Sequence, residues 1–223
     1  MSFPAGNTIL MVASDRREFS GFARRLSAVR ELEWDVDYAA EGMLGSTRFL
    51  LVANGAGARL ALRAAEAALA CTHPSLIVSA GYCGALAPHL RVGDIVACSL
   101  AGGQPGEILG VDQVVTSADD KRRAFVQTKA AAIDMESHAL ARFAADHNIP
   151  FRIIRAVSDE AGEDLGLDLN RARDHEGRIR AASVVRLALT RPWSGLPALK
   201  RLAINSARAS DRLGDFLAST RFE

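Results

Sequence analysis

The chain has 223 residues, 49% hydrophobic and 24% charged, enough for one globular domain with a real core. Its 27 Lys and Arg residues are nearly matched by 26 Asp and Glu, and a net charge of +1 singles out no nucleic acid or other polyanion as a partner. Cys71, Cys83 and Cys98 are odd in number and lack metal-ligand spacing, and the five histidines join no cysteine cluster, so reduced thiols, no metal and no cofactor are expected. The apolar run Ile9 to Ala13 is too short for the core of a signal peptide, and no segment reads as membrane-spanning; a cytoplasmic protein is expected.

Taken in order, Thr8 to Ala13 reads as a buried strand, and Ser14-Asp15-Arg16-Arg17-Glu18 opens a helix to about Val29. Two loose strands follow near Val36 to Ala40 and Arg48 to Ala53. Asn54-Gly55-Ala56-Gly57 then turns into an alanine-rich helix ending near Cys71. Ser75 to Ala80 is the next strand, Gly81-Tyr82-Cys83-Gly84 the turn beyond it, and Val92 to Val96 another strand. Ala101 to Gly106 is a loop too short to join two domains. Thr116 or Ser117 caps a helix carrying Lys121 to Lys129.

Met135, Ala139, Leu140, Phe143 and Ala144 recur at helical spacing until Asn148-Ile149-Pro150 ends the helix, and Phe151 to Val157 is a buried strand. The whole, residues 1–223, is read as a single α/β domain with a mixed, mostly parallel central sheet. Residues 191–223 form a basic amphipathic helical tail. Its apolar stripe packs on its own domain or makes a peripheral contact with a membrane.

In open α/β sheets ligands collect at the carboxyl ends of strands. Asp134-Met135-Glu136 at a helix start and Ser158-Asp159 past a strand end are therefore candidate site residues. The Asn54-Gly55-Ala56-Gly57 turn is an incomplete dinucleotide fingerprint, since Leu60 stands where the third glycine belongs. With Gly81-Tyr82 it reads instead as a backbone cradle for a sugar or anion.

Ser79-Ala80-Gly81-Tyr82-Cys83-Gly84-Ala85-Leu86-Ala87-Pro88, then Val92-Gly93-Asp94-Ile95-Val96, resemble the purine nucleoside phosphorylase and methylthioadenosine/adenosylhomocysteine nucleosidase superfamily. Asp134-Met135-Glu136 and Arg155-Ala156-Val157-Ser158-Asp159 match its other two signatures in the same order, and the likeness covers about Thr8 to Leu165. Lys121 to Ala132 and the tail from Arg191-Pro192-Trp193 to Arg201 resemble the hopanoid-associated phosphorylase branch.

The resemblance implies a three-layer α/β/α sandwich, a homo-oligomer, and cleavage of a purine–ribose bond at C1′. Asp159, beside Ser158, would protonate or hydrogen-bond N7 of the leaving base; such an acid must keep a proton, so burial should raise its pKa. The competing reading is a helix cap. Glu136 would accept from the ribose 2′- and 3′-hydroxyls, and Met135 would lie against ribose or base unless it only fills the core. Asp134 would face the helix dipole. Val115 falls in the segment that contacts the base through backbone groups. Arg155 belongs to the site or forms a structural ion pair.

The acceptor divides the clues. Glu18 matches the glutamate that activates water in the nucleosidases. Ser79 stands where hexameric phosphorylases carry an arginine, and Tyr82 where a small hydroxyl is common. Arg16, Arg17 and Arg59 are the candidate cations for phosphate. The reading that follows is cleavage of an adenine nucleoside with a large or apolar 5′ substituent, with phosphate the favoured co-substrate. A hydrolytic nucleosidase is the alternative. A catalytically idle nucleoside-binding module is a third reading, against which Asp159 and Glu136 argue.

Overall fold

The computed structural model describes residues 7–99, 107–174, 176 and 178–222. Its strands are β1 Thr8–Ala13, β2 Ser27–Glu31, β3 Tyr38–Leu44, β4 Thr47–Ala53, β5 Leu76–Ala85, β6 Ile95–Ser99, β7 Ile108–Gly110, β8 Ala132–Asp134 and β9 Phe151–Asp159. The α-helices are α1 Ser20–Ala23, α2 Ala58–Cys71, α3 Ala118–Thr128, α4 Ser137–Asp146, α5 Ala181–Leu189 and α6 Pro192–Ser219, with 3-10 turns at Arg16–Phe19 and Leu169–Ala172.

The strands form one sheet that begins β2-β3-β4-β1-β5 and then forks. Ile77 to Gly84 of β5 run parallel to β9, which carries β6 antiparallel on its far side. The last residues of β5, Gly84 and Ala85, pair on with β8, which carries β7, so that Gly84 meets both β9 and β8. The centre, β4-β1-β5-β9, is parallel. Helices cover both faces, giving the expected three-layer α/β/α architecture with a mixed sheet.

After Thr8, strand β1 is apolar from Ile9 to Ala13, where neither of its faces meets water. Leu10 and Val12 join the core under α2 and α4, while Ile9, Met11 and Ala13 join the core under α1 and α6. On the first side α2 buries Leu60, Ala61, Ala64, Ala65 and Ala68, a stripe of mostly small residues that brings the helix close to the sheet. On the second, Ala209, Leu213 and Leu217 of α6 close the layer, and Phe49 meets Phe22 and Phe222 edge-on at 5.0 and 5.5 Å. Truncating the fully buried Leu213 to alanine would cost about 2–5 kcal/mol.

Several elements differ from the sequence expectation. The helix from Ser14 does not reach Val29: it ends at Ala23, and within it Gly21 lies against α6, where a Cβ would come within 2.0 Å of the Ser210 carbonyl oxygen. Strand β2 follows, exposed at every residue and so without an apolar pattern to read. The glycines of Gly81-Tyr82-Cys83-Gly84 make no turn, since β5 continues through them beside β9, with a register shift between Cys83 and Gly84. The strand expected at Val92 starts only at Ile95, after a bend at Gly93 with φ +92°. Ser117 caps α3, accepting from the Asp120 amide at 3.1 Å. The expected loop Ala101 to Gly106 lies outside the described residues.

Candidate active site

A cavity of about 210 Å³ lies where the sheet forks, at the carboxyl ends of β1, β4, β5 and β9. It is lined by Glu18, Tyr82, Val115, Met135, Glu136, Ser158 and Asp159, together with Ser14, Val114, Leu165, Leu169, Leu202 and Ser206. A larger groove of about 560 Å³ runs beside Pro88, Arg91 and α6. Two acids on its wall are matched by cations, Glu160 by Arg91 and Glu163 by Arg201, so it holds no comparable set of reactive groups. The smaller cavity is the candidate site.

Arg155 is the buried hub beneath it. The residue shares the parity of Ile153 and Val157, which places its side chain on the α4 side of the sheet, under the first turn of that helix. Its guanidinium is 1% exposed and meets Asp134 at 2.8 Å, Glu136 at 3.2 Å and the Ser79 hydroxyl at 2.7 Å. Burial opposes its charge, but Asp134, Glu136 and Glu18 together hold its pKa above the ordinary value. Asp134 also accepts from the Ser137 amide and hydroxyl, which fixes the start of α4. Arg155 does not line the cavity; it orients groups that do.

Glu136 accepts from the Gly57 amide at 2.7 Å on one oxygen and from Arg155 on the other. Burial raises its pKa, with Arg155 opposing. The anion that the Asn54 to Gly57 turn receives is thus a carboxylate of the protein. Asn54 and Gly55 do not line the cavity. The Asn54 side chain spans Leu60, Asp37 and Arg178, and Gly55, with φ +105°, passes close to Leu60.

Glu18 comes from the 3-10 turn after β1, whose start Asp15 caps by accepting from the Arg17 amide at 2.8 Å. Its carboxylate accepts from the Ser14 hydroxyl and from the Tyr82 amide, the latter at 3.1 Å. Burial pushes its pKa up to about 7, against the pull of Arg155 and Ser14. This close approach is what Gly81 permits: with φ +154°, a Cβ there would stand 1.9 Å from Glu18 Oε2 and 2.7 Å from Arg155 Nη1. Gly81 shapes the site without lining it.

Asp159 ends β9 at a bulge in which Ser158 is skipped by the pairing with β5. One carboxylate oxygen accepts from Ser158 Oγ at 2.8 Å, the other from Lys121 Nζ at 2.5 Å. Lys121 is fully buried and donates also to the Glu160 and Glu163 carbonyls, at 2.9 and 3.1 Å, so all three of its protons are engaged. Burial was expected to make this acid keep its proton; the structure places an ammonium against it.

Sequence reasoning missed Lys121, although it occupies the same helical stripe of α3 as the part-buried Ala124 and Phe125. It also missed Asn170, whose amide group bonds both the N–H and the C=O of Val114 at 3.0 and 2.9 Å and pins the segment holding Val115. Met135 takes a contact from Arg173 at 3.4 Å on its sulfur.

Arg16, Arg17 and Arg59 are not brought to the cavity. Arg16 sits over the Tyr38 ring at 5.5 Å, Arg17 pairs with Asp15 at 2.7 Å, and Arg59 donates to the Glu176 carbonyl.

The family model described as the phosphorylase superfamily matches residues 8–101 and 104–190. The chain belongs to the phosphorylase superfamily. Over 78 residues it is 39% identical to a 5′-methylthioadenosine/S-adenosylhomocysteine nucleosidase of Mycobacterium bovis, a stretch that is 35% of this chain and 29% of that protein. The match to the Mycobacterium tuberculosis nucleosidase has the same identity and extent.

Solved structures share the fold over nearly all of both chains. Futalosine hydrolase of Helicobacter pylori has a TM-score of 0.68 at 14% identity, covering 95% of each chain. The Streptococcus pyogenes S-adenosylhomocysteine nucleosidase, in complex with 5-methylthiotubericidin, has a TM-score of 0.62 at 18% identity, covering 96% of this chain and 99% of that one. In this chain Glu18, Glu136 and Asp159 line one cavity at the strand ends, with Arg155 beneath it.

Proposed function

We propose that the protein hydrolyses the N-glycosidic bond of an adenine nucleoside with an apolar 5′ substituent. Water is the acceptor in this reading, although the sequence favoured phosphate. The observation that carries it is the contrast at the cavity. Glu18 faces it with a pKa near neutrality, whereas Arg16, Arg17 and Arg59 lie elsewhere and the buried Arg155 is already matched by Asp134 and Glu136. A general base works best with a pKa near the working pH, and phosphate capture needs cations with hydrogen bonds to spare. The mycobacterial relatives are named as nucleosidases, which agrees.

In the proposed reaction, Glu18 takes a proton from water as its oxygen bonds to C1′. The C1′–N9 bond breaks and its electron pair leaves with the purine, whose N7 takes a proton that Lys121 passes through the Asp159 carboxylate. Positive charge developing on the sugar faces Glu136, which also accepts from the ribose hydroxyls. Leu165, Leu169 and Leu202 form an apolar wall that suits the 5′ substituent. A placed acid and a placed base are each worth ~10²–10⁴-fold. The reading is tested by assaying free adenine from a panel of 5′-substituted adenosines in phosphate-free buffer. Release there, fastest for apolar substituents, is the expected result; no release without phosphate overturns the choice of acceptor.

A further inference from the structure

The hairpin formed by α5 and the first half of α6 carries a surface that the site does not use. Seven large apolar side chains are exposed among the described residues, and five of them are here: Val185 at 42%, Leu189 at 58%, Trp193 at 95%, Leu196 at 44% and Ile204 at 58%. They are ordered by the helices. Val185 and Leu189 are one turn apart on α5. Trp193, Leu196 and Ile204 share one face of α6 with Lys200, away from the buried Gly195 and Ala198. A concentration of this kind on a folded domain marks a contact surface rather than scattered exposure.

Charge says what the surface meets. From Arg178 to Ser210 the sequence holds seven Arg and Lys and not one Asp or Glu. Arg178, Arg180 and Arg201 pair with Asp37, Asp174 and Glu163, which lie outside the hairpin. Arg186, Arg191 and Lys200 are exposed, and no carboxylate among the described residues lies within ion-pair distance of them. The second half of α6 is built differently. Its acids Asp211 and Asp215 pair with Arg24 and Arg25, and Ala209, Leu213 and Leu217 are buried against the domain. The helix is thus a docked segment followed back into a cationic, apolar overhang with a small core of its own, Leu167, Ala172, Val184, Ala188 and Ala198.

We propose that the α5–α6 hairpin is a docking surface for an anionic lipid bilayer, with Trp193, Leu196 and Ile204 entering the headgroup layer and Arg186, Arg191 and Lys200 meeting the lipid phosphates. Tryptophan and basic residues on one helix face are the composition of interfacial helices, and the Lys200 stem can extend so that its charge stays among the headgroups. A second copy of the chain fits less well, because a two-fold contact through this face would set its unpaired cations against their own counterparts. The opposite side of α6 supplies Leu202 and Ser206 to the cavity, so a docked hairpin stands between bilayer and site. The inference does not depend on which acceptor the enzyme uses.

The chain holds two tryptophans, Trp34 and Trp193, so the full-length Trp34→Phe protein reports on Trp193 alone. Its emission and its sedimentation are measured with phosphatidylcholine vesicles and with phosphatidylglycerol-rich vesicles. A blue shift and pelleting are expected only with the anionic vesicles, and added salt should reverse both. The pair Arg191→Glu and Lys200→Glu should weaken apparent vesicle affinity at least about tenfold. Trp193→Ala should weaken pelleting, and adenine release in buffer should be unchanged in all of these variants. Absence of a shift with anionic vesicles at low salt overturns the proposal, as does equal binding to neutral vesicles. A blue shift that grows with protein concentration in the absence of lipid, with a doubled mass, assigns the face to a second copy instead.

Discussion

Lys121 Nζ lies 2.5 Å from Asp159 Oδ2 with the lysine side chain fully buried, so the acid at the end of β9 is half of an ion pair. Breaking a buried pair from one side leaves an uncompensated charge, at a cost of about 3–5 kcal/mol. Lys121→Met should therefore lower stability by that order in chemical denaturation. Lys121→Met with Asp159→Asn should recover much of the loss, because no charge is left stranded. Equal destabilisation by the single and double variants would show that the pair is not coupled.

Asp159→Asn keeps the size of the side chain and its bond to Ser158 but cannot pass a proton from Lys121 to the base. Its kcat for base release should fall by about two orders of magnitude or more. Binding of the ribose, held from the Glu136 side, should change less. Wild-type turnover would remove Asp159 from the chemistry.

Glu136 offers its oxygens to the cavity while Gly57 and Arg155 hold them in place. Glu136→Gln should reduce kcat/KM on ribosides by a factor corresponding to about 1.5–3 kcal/mol, the worth of a hydrogen bond to a charged group. The loss on 2′-deoxyribosides should be smaller, since one donor is already missing. Equal losses on the two would argue against a contact to the 2′-hydroxyl.

The raised pKa of Glu18 makes two pH predictions with opposite signs. The folded state holds a proton on Glu18 to about pH 7, whereas the unfolded chain releases it near 4.5. Stability from this group is therefore fully present below about 4.5 and is lost as pH rises through 7, by on the order of 3 kcal/mol. Activity should move the other way, rising through pH 7 as Glu18 ionises. Glu18→Gln should flatten the stability slope and abolish the rise in rate; a rate profile unchanged in that variant would exclude Glu18 as the base.

Gly81→Ala tests the packing that places Glu18. Its Cβ would collide with the carboxylate of Glu18, whereas Gly162 has no atom within 4 Å of an added Cβ. Overpacking should cost about 1–3 kcal/mol and most of the activity at position 81, and neither at position 162. Similar behaviour of the two variants would contradict the assigned role of Gly81.

Much of the layered fold was legible because both faces of β1, β5 and β9 are buried and their sequences are apolar runs with clear punctuation, Asn148-Ile149-Pro150 most of all. The edges were not legible. β2 is wholly exposed, and β7 and β8 have only three residues each, too few to set a period. Glycine misled at Gly81, where the residue makes room for a side chain 63 positions earlier in the chain rather than a turn. At the site, Glu18, Glu136 and Asp159 could be picked out as acids at strand and helix ends. What each one touches could not, because Lys121, Gly57 and Ser14 reach them through tertiary contacts. The three arginines offered for phosphate failed to reach the cavity for a local reason: an aromatic ring, an acid and a carbonyl nearby already hold them.

The claim that water is the acceptor is tested most directly by the sugar product. The enzyme is supplied with a 5′-substituted adenosine in ¹⁸O-labelled water containing saturating phosphate, and the released sugar is analysed by mass spectrometry. A free sugar carrying label at C1′, with no phosphorylated sugar formed, is the predicted result. A ribose 1-phosphate derivative as the product, with unlabelled bridging oxygen, would contradict it and return the phosphorolytic reading.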